Sequence, residues 1–355
     1  MRCISRAKSA ALVCVASISL FTGGCIGGKG ATPVTAYELK NYNQDLYQGK
    51  LYAEELCVAQ NDVALEGYTE DTELHSAALF DLTGERVLYS YKAHERLYPA
   101  STTKIMTALL AIENANLDDQ VTISGNADAS SFSADAQVCG LAKGEVWTLR
   151  DLLGALLLYS GNDAATAIAE YVGGSEEAFV NMMNHRAQEL MANGTHFMNP
   201  HGLHDDNHYT TAYDLYLIFN ECIKHEDFVN IIQSEAYTAY YTDVDGNSQE
   251  ALFTPTNLYA QGEVDVPENV TIVGGKTGTT DEAGYCLILM EKDSSDNPYI
   301  SIVMGASEKP VLYEDITSLI EAIPSGQQKM WCVNLIVYTK RGISCLGAPF
   351  FFSSM

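Results

Sequence analysis

The order of β-rich and helical segments along the chain constrains its fold more than any other feature. Period-two patterns of β-branched and aromatic residues occupy residues 77–91 and return between residues 236 and 304. Between them, apolar residues recur at helical spacing, as in the stripe formed by Ile105, Met106, Leu109 and Ile112. Strands at both ends with helices between them predict an α+β architecture, in which an antiparallel sheet is flanked by helices and carries an inserted helical subdomain.

Capping residues and glycines set the expected helix bounds. Thr148 followed by Asp151 is an acidic variant of a capping box, and Asp163 is positioned to cap a further helix that Gly173 and Gly174 would end. We therefore expect helices over 101–114, 148–158, 163–171, 176–192 and 212–224, with no strand between them, and a closing helix over 313–323. Residues 332–338 are strand-like, and the apolar end of the chain has no periodic pattern.

The N-terminal residues predict export. A basic start precedes an uncharged apolar run over 9–22, which is too short to span a bilayer and is typical of a secretory signal peptide over 1–24. Small residues directly before Cys25 are typical of a lipoprotein lipobox, so we expect lipid on Cys25, with ordinary cleavage nearby as the alternative. An acidic spacer over 25–73, a principal domain over 74–325 and a tail over 326–355 complete the domain plan.

Charge and cysteine usage exclude several classes of protein. The chain of 355 residues has a formal net charge of −26, which repels nucleic acid. Its nine cysteines include no Cys-x-x-Cys pair, so zinc-ribbon and thioredoxin chemistry are not expected. Export would permit disulfides, but the spacing leaves their pairing open.

Three short segments carry candidate chemistry. Ser101 to Lys104 has the pattern Ser-x-x-Lys, Ser160 to Asn162 has the pattern Ser-x-Asn, and Lys276 to Gly278 reads Lys-Thr-Gly. Each pattern alone is weak, because Ser-x-x-Lys recurs at 5–8 and Ser-x-Asn recurs in expected turns at 124–126 and 295–297. Taken singly, the first segment could be an ordinary capped helix start, the second a turn and the third a glycine-rich bend. The prediction therefore depends on the order of the three segments and on the residues around them.

The three settings suit nucleophilic catalysis. A serine hydroxyl needs a neighbouring base, and Lys104 shares a helix face with Ser101 above an apolar stripe that would lower the pKa of its amine. Ser160 and Asn162 lie in a polar loop between buried helices, which would hold both side chains rigidly. Lys276 to Gly278 can lie on a strand whose glycines let a peptide backbone approach, with a cation and a hydroxyl available to a carboxylate.

Together, the segments resemble the signature of the low-molecular-mass penicillin-binding proteins, the serine D-alanyl-D-alanine carboxypeptidases. The resemblance covers roughly residues 75–323 and extends beyond the motifs, to Tyr98 through Lys104, Tyr159 through Ala164, and Gly275 through Thr279. It implies the β-lactamase/transpeptidase-like form of the α+β fold. It also implies that no metal or organic cofactor is required.

The resemblance further implies a role for each site residue. Ser101 would attack the peptide bond between two terminal D-alanines, Lys104 would accept its proton, and Ser160 would relay a proton to the leaving group. The backbone N–H groups of Ser101 and Thr279 would hold the oxyanion. Asn162 would bind the substrate peptide, and the terminal carboxylate would be held by the segment Lys276, Thr277, Gly278 and Thr279.

The resemblance and the leader together imply location and partners. The expected substrates are peptidoglycan stem peptides ending in D-Ala-D-Ala, and β-lactams would acylate Ser101 as covalent inhibitors. The expected location is the extracytoplasmic face of a bacterial membrane, with the lipid on Cys25 as tether and with roles in peptidoglycan biosynthesis and cell shape.

Three alternatives remain open at this point. A class A β-lactamase would need a Glu-x-x-Leu-Asn segment, and the nearest match, 177–181, has the wrong spacing. A sensor would be acylated once without turnover. A zinc peptidase could use histidines in a segment that also contains Pro200 and Gly202, namely His201, His204 and His208, beside Asp205 and Asp206.

Overall fold

The computed structural model describes residues 55–58, 61–65, 75–324, 336–339 and 342–345. All of the strands lie in one compact unit of the chain, Ala53–Met355. They are β1 (Ser76–Asp81), β2 (Arg86–Tyr91), β3 (Gln120–Thr122), β4 (Val146–Thr148), β5 (Tyr237–Thr242), β6 (Ser248–Phe253), β7 (Val270–Thr280), β8 (Gly284–Asp293), β9 (Pro298–Ala306), β10 (Ile336–Thr339) and β11 (Gly342–Cys345). The helices are α1 (Lys104–Asn114), α2 (Leu149–Gly154), α3 (Asn162–Gly173), α4 (Glu176–Glu189), α5 (Ala212–Cys222), α6 (Glu226–Ile232), α7 (Leu258–Gln261) and α8 (Lys309–Glu321). None of the helices in these described ranges is long and apolar enough to cross a membrane.

An antiparallel five-stranded sheet in the order β2-β1-β9-β8-β7 lies at the centre of the domain. Strand β8 is an almost continuous apolar run, which suits a strand buried on both faces. Cys286 and Ile288 belong to the larger core with the helical subdomain, while Leu287 and Leu289 pack in the core that includes α8. Strand β7, which carries the Lys-Thr-Gly segment, lies at one edge of this sheet.

The helical subdomain is built around α1. Its residues Ile105, Met106 and Leu109 are completely or almost completely buried, and the helix packs against α3 and α5. This arrangement of a flanked antiparallel sheet with an inserted helical subdomain confirms the α+β prediction. It also places the N-terminal end of α1 beside β7.

The prediction that no strand interrupts the helical middle is wrong. Strands β3 and β4 lie between α1 and α2 and join β5 and β6 in a second antiparallel sheet, in the order β3-β4-β5-β6. The indole of Trp147 in β4 stacks on Tyr241 in β5, with ring centroids 4.2 Å apart. Strands of three residues are too short to show a period-two pattern, and their partner strand is distant in sequence.

Several helix bounds also differ from the predictions. The Thr148 cap is confirmed, since its hydroxyl accepts the N–H of Asp151 at 3.0 Å, but the predicted helix changes into a π turn over Ala155–Tyr159. Asp163 does not cap α3, because Gly161 occupies the N-cap position and Asp163 lies inside the helix. Helices α6 and α7 were not predicted.

Some sequence predictions fall outside the described residues. They include the signal peptide over 1–24, the lipid site Cys25 and the tail over 326–355, apart from the antiparallel pair β10–β11. Within the predicted spacer, the described residues contact the folded domain: the N–H of Cys57 donates to the hydroxyl of Tyr216 at 2.9 Å, and Val63 pairs with Ser90. The domain bounds themselves stay predictions.

Candidate active site

Ser101 and Lys104 lie at the junction of a short 3₁₀ turn and α1. The turn spans Ala100–Thr103, and Lys104 is the first residue of the α-helix. The Nζ atom of Lys104 lies 2.9 Å from the Oγ atom of Ser101, which is the contact that the i, i+3 spacing predicts. Ala100 has a φ of 47°, a left-handed value that is uncommon for a residue with a side chain, so the turn that presents Ser101 is strained.

Lys104 is completely buried, and its amine has several polar partners inside the protein. Its Nζ atom lies 2.7 Å from Oδ1 of Asn162 and 2.6 Å from the carbonyl oxygen of His201. Burial lowers the pKa of Lys104 well below the ordinary lysine value, and the charge of nearby Lys276 lowers it further. A neutral amine has two hydrogens and one lone pair, so the two carbonyl acceptors leave the lone pair directed at Ser101.

Ser160 is held in an unusual backbone conformation at the end of the π turn. Its φ and ψ are 72° and 33°, which is the left-handed region, and its side chain is almost fully buried. π turns occur often at functional sites because they reorient one side chain out of the helical pattern. Here the turn directs the Oγ atom of Ser160 to within 2.9 Å of Nζ of Lys276.

Asp163 was predicted to cap a helix, but in the structure it has a different role. Its buried carboxylate accepts the backbone N–H groups of Cys139, Gly140, Leu141 and Ala164 at 2.9–3.1 Å. The N–H of Asn162 also donates to the carbonyl of Gln137 at 2.8 Å. These bonds fix the loop over 137–141 against the start of α3, and Gln137 from that loop lines the cleft.

Lys276 lies in β7 with 1% of its surface exposed. Its Nζ atom contacts the carbonyl oxygen of Thr277 at 2.9 Å in addition to Ser160. Burial lowers the pKa of Lys276 to about 7, so this lysine divides between its charged and neutral forms near neutral pH. The hydroxyl of Thr277 lies 2.6 Å from that of Thr256, a positioning contact that the sequence did not predict.

Gly278 permits the close approach of β7 to the turn that carries the nucleophile. A Cβ atom at this position would lie 2.9 Å from the carbonyl oxygen of Pro99 and 3.1 Å from the backbone nitrogen of Ser101. Real Cβ atoms essentially never come that close to a backbone oxygen. The glycine of the Lys-Thr-Gly segment is therefore required by packing against Ser101.

The three predicted segments meet in one cleft with a volume of about 650 Å³. Lys104 and Lys276 lie behind the cleft wall and contact its two serines. The mouth also carries exposed charged residues, namely Asp135, Asp281, Glu282 and Lys309. The lining includes Ser101, Ser160, Asn162, Thr277, Gly278 and Thr279.

The histidines of the zinc alternative do not converge on a common point. Nδ1 of His201 accepts the N–H of Leu203 at 3.2 Å, and Nε2 of His208 lies 2.8 Å from the hydroxyl of Thr103. Burial lowers the pKa of His201 to about 3 and that of His208 to about 4. Both rings are thus neutral structural groups, and the carbonyl of His201 serves Lys104 instead.

The described residues contain a single group with metal-ligand geometry, formed by Glu113, Glu221 and His225. Arg186 already pairs with it, at 2.6 Å from Glu113 and 3.3 Å from Glu221. The β-lactamase alternative also finds no support in the site, because Glu177 lies on the exposed side of α4 and does not line the cleft.

The chain is similar to known proteins of one family. A family model described as D-alanyl-D-alanine carboxypeptidase matches residues 64–308. The chain is 34% identical over 254 residues to the D-alanyl-D-alanine carboxypeptidase DacF of Bacillus subtilis, an alignment that covers 70% of this chain and 61% of DacF. It is 30% identical over 273 residues to DacD of Escherichia coli, covering 74% of this chain and 66% of DacD.

Solved structures show the same relationship. The Streptomyces K15 DD-transpeptidase superposes with a TM-score of 0.66 at 28% identity, over 72% of this chain and 98% of that one. Penicillin binding protein 5 of Haemophilus influenzae superposes with a TM-score of 0.63 at 27% identity, over 72% of each chain. The matched region thus spans nearly the whole K15 enzyme but only 61% and 66% of the two curated relatives.

Proposed function

The chain belongs to the D-alanyl-D-alanine carboxypeptidase family, and we propose on that basis that it removes the terminal D-alanine from peptidoglycan stem peptides through an acyl-enzyme on Ser101. One observation carries the proposal. The Nζ atom of a buried lysine, Lys104, lies 2.9 Å from the hydroxyl oxygen of a serine that opens onto the cleft. That arrangement is the activated nucleophile that acyl transfer requires.

Acylation begins with proton transfer from Ser101 to Lys104. The lone pair of neutral Lys104 accepts the proton as Oγ attacks the carbonyl carbon between the two D-alanines, and the carbonyl oxygen becomes an oxyanion. The backbone N–H groups of Ser101 and Thr279 stabilise that oxyanion. The ammonium formed on Lys104 keeps the two carbonyl acceptors already at 2.6 and 2.7 Å.

Ser160 and Lys276 then serve the leaving group. The amine of the departing D-alanine needs a proton as the peptide bond breaks, and the Ser160 hydroxyl relays it from the Lys276 ammonium. The 2.9 Å contact between Ser160 and Lys276 supports this role, because Lys276 with a pKa of about 7 can return a proton to Ser160. Water next attacks the acyl-enzyme and gives its proton through Ser160 to the neutral Lys276, while Lys104 returns its proton to Ser101 as the shortened peptide leaves.

Substrate binding is assigned to the two walls of the cleft. Asn162 on one wall binds the peptide amide while it orients Lys104. On the other wall the substrate lies along β7, and Lys276, Thr277, Gly278 and Thr279 hold its terminal carboxylate. A β-lactam presents a carbonyl and a carboxylate at similar positions, so it acylates Ser101 and is released slowly.

The proposal includes an extracytoplasmic location with a lipid tether. The signal-like residues 1–24 and the small residues before Cys25 support export and lipidation, and the substrate class supports work on the outer side of the membrane in peptidoglycan biosynthesis and cell shape. The Cys25→Ser chain should leave the membrane fraction when cells are fractionated. Equal retention of both chains would exclude the lipid as the tether.

The catalytic proposal is tested by mass spectrometry of residues 26–355 after brief exposure to benzylpenicillin, followed by peptide mapping and an assay of D-alanine release. We expect one adduct, on Ser101, and steady release from a peptide ending in D-Ala-D-Ala. Ser101→Ala should abolish both signals, whereas Ser295→Ala, in the turn between β8 and β9, should change neither. An adduct on Ser101 without release of D-alanine would instead support the sensor alternative.

A further inference from the structure

His204 is a side chain at the mouth of the cleft that the mechanism above does not use. It lines the same cavity as Ser101 and Thr279, and its side chain is 28% exposed. We propose that His204 is a positioning residue, which joins the loop that holds Lys104 to the turn between β7 and β8 and so fixes the spacing of the segments around Ser101. The inference rests on the proposed function and adds to it a residue that acts through the catalytic groups.

The loop that leads to His204 is attached closely to the start of α1. The carbonyl oxygen of His201 in this loop lies 2.6 Å from Nζ of Lys104. A Cβ atom on Gly202 would lie 1.9 Å from the carbonyl oxygen of Ala100, so the loop packs directly on the backbone before the nucleophile. A shift of this loop would therefore move an acceptor of the catalytic amine.

His204 also contacts two other segments that carry catalytic groups. Its Nδ1 atom lies 3.9 Å from Oε2 of Glu282, and its ring packs edge-to-face on Tyr98, with centroids 4.7 Å apart. Tyr98 precedes Ser101 by three residues, and Glu282 follows Thr279 by three. One imidazole thus links the segments that lead to the nucleophile and to the second oxyanion N–H group.

The turn that carries Glu282 is held by its own hydrogen bonds. The N–H of Ala283 donates to Oγ1 of Thr280 at 3.0 Å, and Thr280 is paired with Gly284 across β7 and β8. Thr279 and Glu282 therefore belong to one short hairpin, and a contact with Glu282 constrains the strand that carries Thr279.

The exposure of these contacts sets the size of the expected effect. The side chains of His204 and Glu282 are 28% and 45% exposed, and ion pairs in contact with water contribute little. The ring contact with Tyr98 adds a comparable amount. The other nitrogen of His204, Nε2, lies 3.3 Å from Asp206 in its own loop, so that contact joins no second segment.

The test measures kcat and KM for D-alanine release together with the rate of adduct formation on Ser101 by benzylpenicillin. We expect His204→Ala to lower kcat and the adduct rate by about fivefold to tenfold, with KM within about twofold, because alignment and not binding is lost. Glu282→Ala should lower kcat by about threefold to fivefold. The double variant should be no slower than His204→Ala, because Glu282 acts through His204.

Two amide variants separate the two nitrogens of the imidazole. His204→Asn places an amide N–H₂ group near the position of Nδ1, which faces Glu282, and should keep kcat within about threefold of the unaltered protein. His204→Gln places that group near the position of Nε2, which faces Asp206, and should be as slow as His204→Ala. A Gln variant that is faster than the Asn variant would overturn the inference.

A matched control is available on α4. His185 lies 3.3 Å from a carboxylate oxygen of Glu189, its side chain is 72% exposed, and it does not line the cleft. His185→Ala should keep kcat, KM and the adduct rate within about twofold of the unaltered values. Urea titration of each variant reports separately on the stability of the fold.

The outcomes distinguish this inference from the proposed function. If His204→Ala raises KM and leaves kcat unchanged, His204 contacts the substrate directly and the inference is wrong. If only the free energy of unfolding falls, or if nothing changes, His204 has no positioning role and the inference is also wrong. If the unaltered protein forms no adduct on Ser101, the proposed function itself fails.

Discussion

At the scale of single residues, the site depends on two lysines removed from water. Lys104 and Lys276 are 0% and 1% exposed, and each makes hydrogen bonds with a serine that faces the cleft. A buried ammonium is costly, so burial lowers the pKa of both lysines and reduces the free energy of unfolding. Such a cost is common where a protein keeps a group poised for proton transfer.

Replacing Lys276 by methionine should therefore stabilise the fold while it abolishes D-alanine release. The pKa of Lys276 is about 7 in the folded state against an ordinary value of 10.5. Between those values the unfolded state binds more protons, so the free energy of unfolding contributed by this residue rises with pH over that window and is smallest below pH 7. In urea titrations at pH 7, Lys276→Met should be more stable by about 1–3 kcal/mol.

The control for this prediction is the pH dependence. The stability advantage of Lys276→Met should shrink as the pH increases from 7 towards 10, because the unaltered protein recovers the lost free energy. An advantage that is constant across this range would mean that burial of the charge is not its cause.

At the scale of elements, the site depends on how closely β7 approaches the turn before α1. Gly278→Ala places a Cβ atom 2.9 Å from the carbonyl oxygen of Pro99, so β7 must move away from Ser101. We expect acylation of Ser101 to slow at least about a hundredfold and the free energy of unfolding to fall by about 1–3 kcal/mol. Gly125→Ala, whose Cβ would meet no atom closer than 3.8 Å, should leave both quantities unchanged.

The loop between β3 and β4 contributes Gln137 to the lining of the cleft, and Asp163 fixes this loop. Asp163→Asn keeps the size of the side chain but turns an N–H₂ group towards backbone N–H donors that the carboxylate accepts. The variant should lose about 2–4 kcal/mol of stability and slow acylation, measured by urea titration and by penicillin adduct formation. If both values stay unchanged, the loop is held by its other contacts.

At the scale of the whole molecule, contacts within one helical turn could be predicted from the sequence, whereas the short strands of the second sheet could not. The spacing of Ser101 and Lys104 predicted their contact because three residues bring two side chains to one helical face in either an α or a 3₁₀ turn. The strands β3 and β4 could not be predicted, because three residues show no period and their pairing with β5 joins distant segments.

The role of Asp163 and the Thr256–Thr277 contact were missed for the same physical reason. Asp163 lies at the start of a helix, where an aspartate usually caps its own helix. Here its carboxylate oxygens instead accept backbone N–H groups of a loop more than 20 residues earlier in the chain. Thr256 follows strand β6, and no sequence pattern around it indicates a contact with Thr277. Contacts between segments that are distant in sequence appear only once the fold brings them together.

The serine mechanism predicts that D-alanine release is insensitive to chelators. The rings of His201 and His208 are engaged with Leu203 and Thr103, and the mechanism uses lysine as its base. D-Alanine release should therefore be unchanged after dialysis against EDTA, while a zinc peptidase would lose its activity. Loss of release that added zinc restores would reject the serine mechanism.

The most direct test of the account is the pH dependence of the acylation rate of Ser101 by benzylpenicillin. Because burial lowers the pKa of Lys104 well below 10.5, the neutral base is present at lower pH than for an ordinary lysine, and the rate should reach its plateau well below pH 10. Lys104→Met should lower the plateau by a factor of at least about a thousand. A rate that rises only near pH 10, or a variant that keeps the plateau, would contradict the claim that neutral Lys104 activates Ser101.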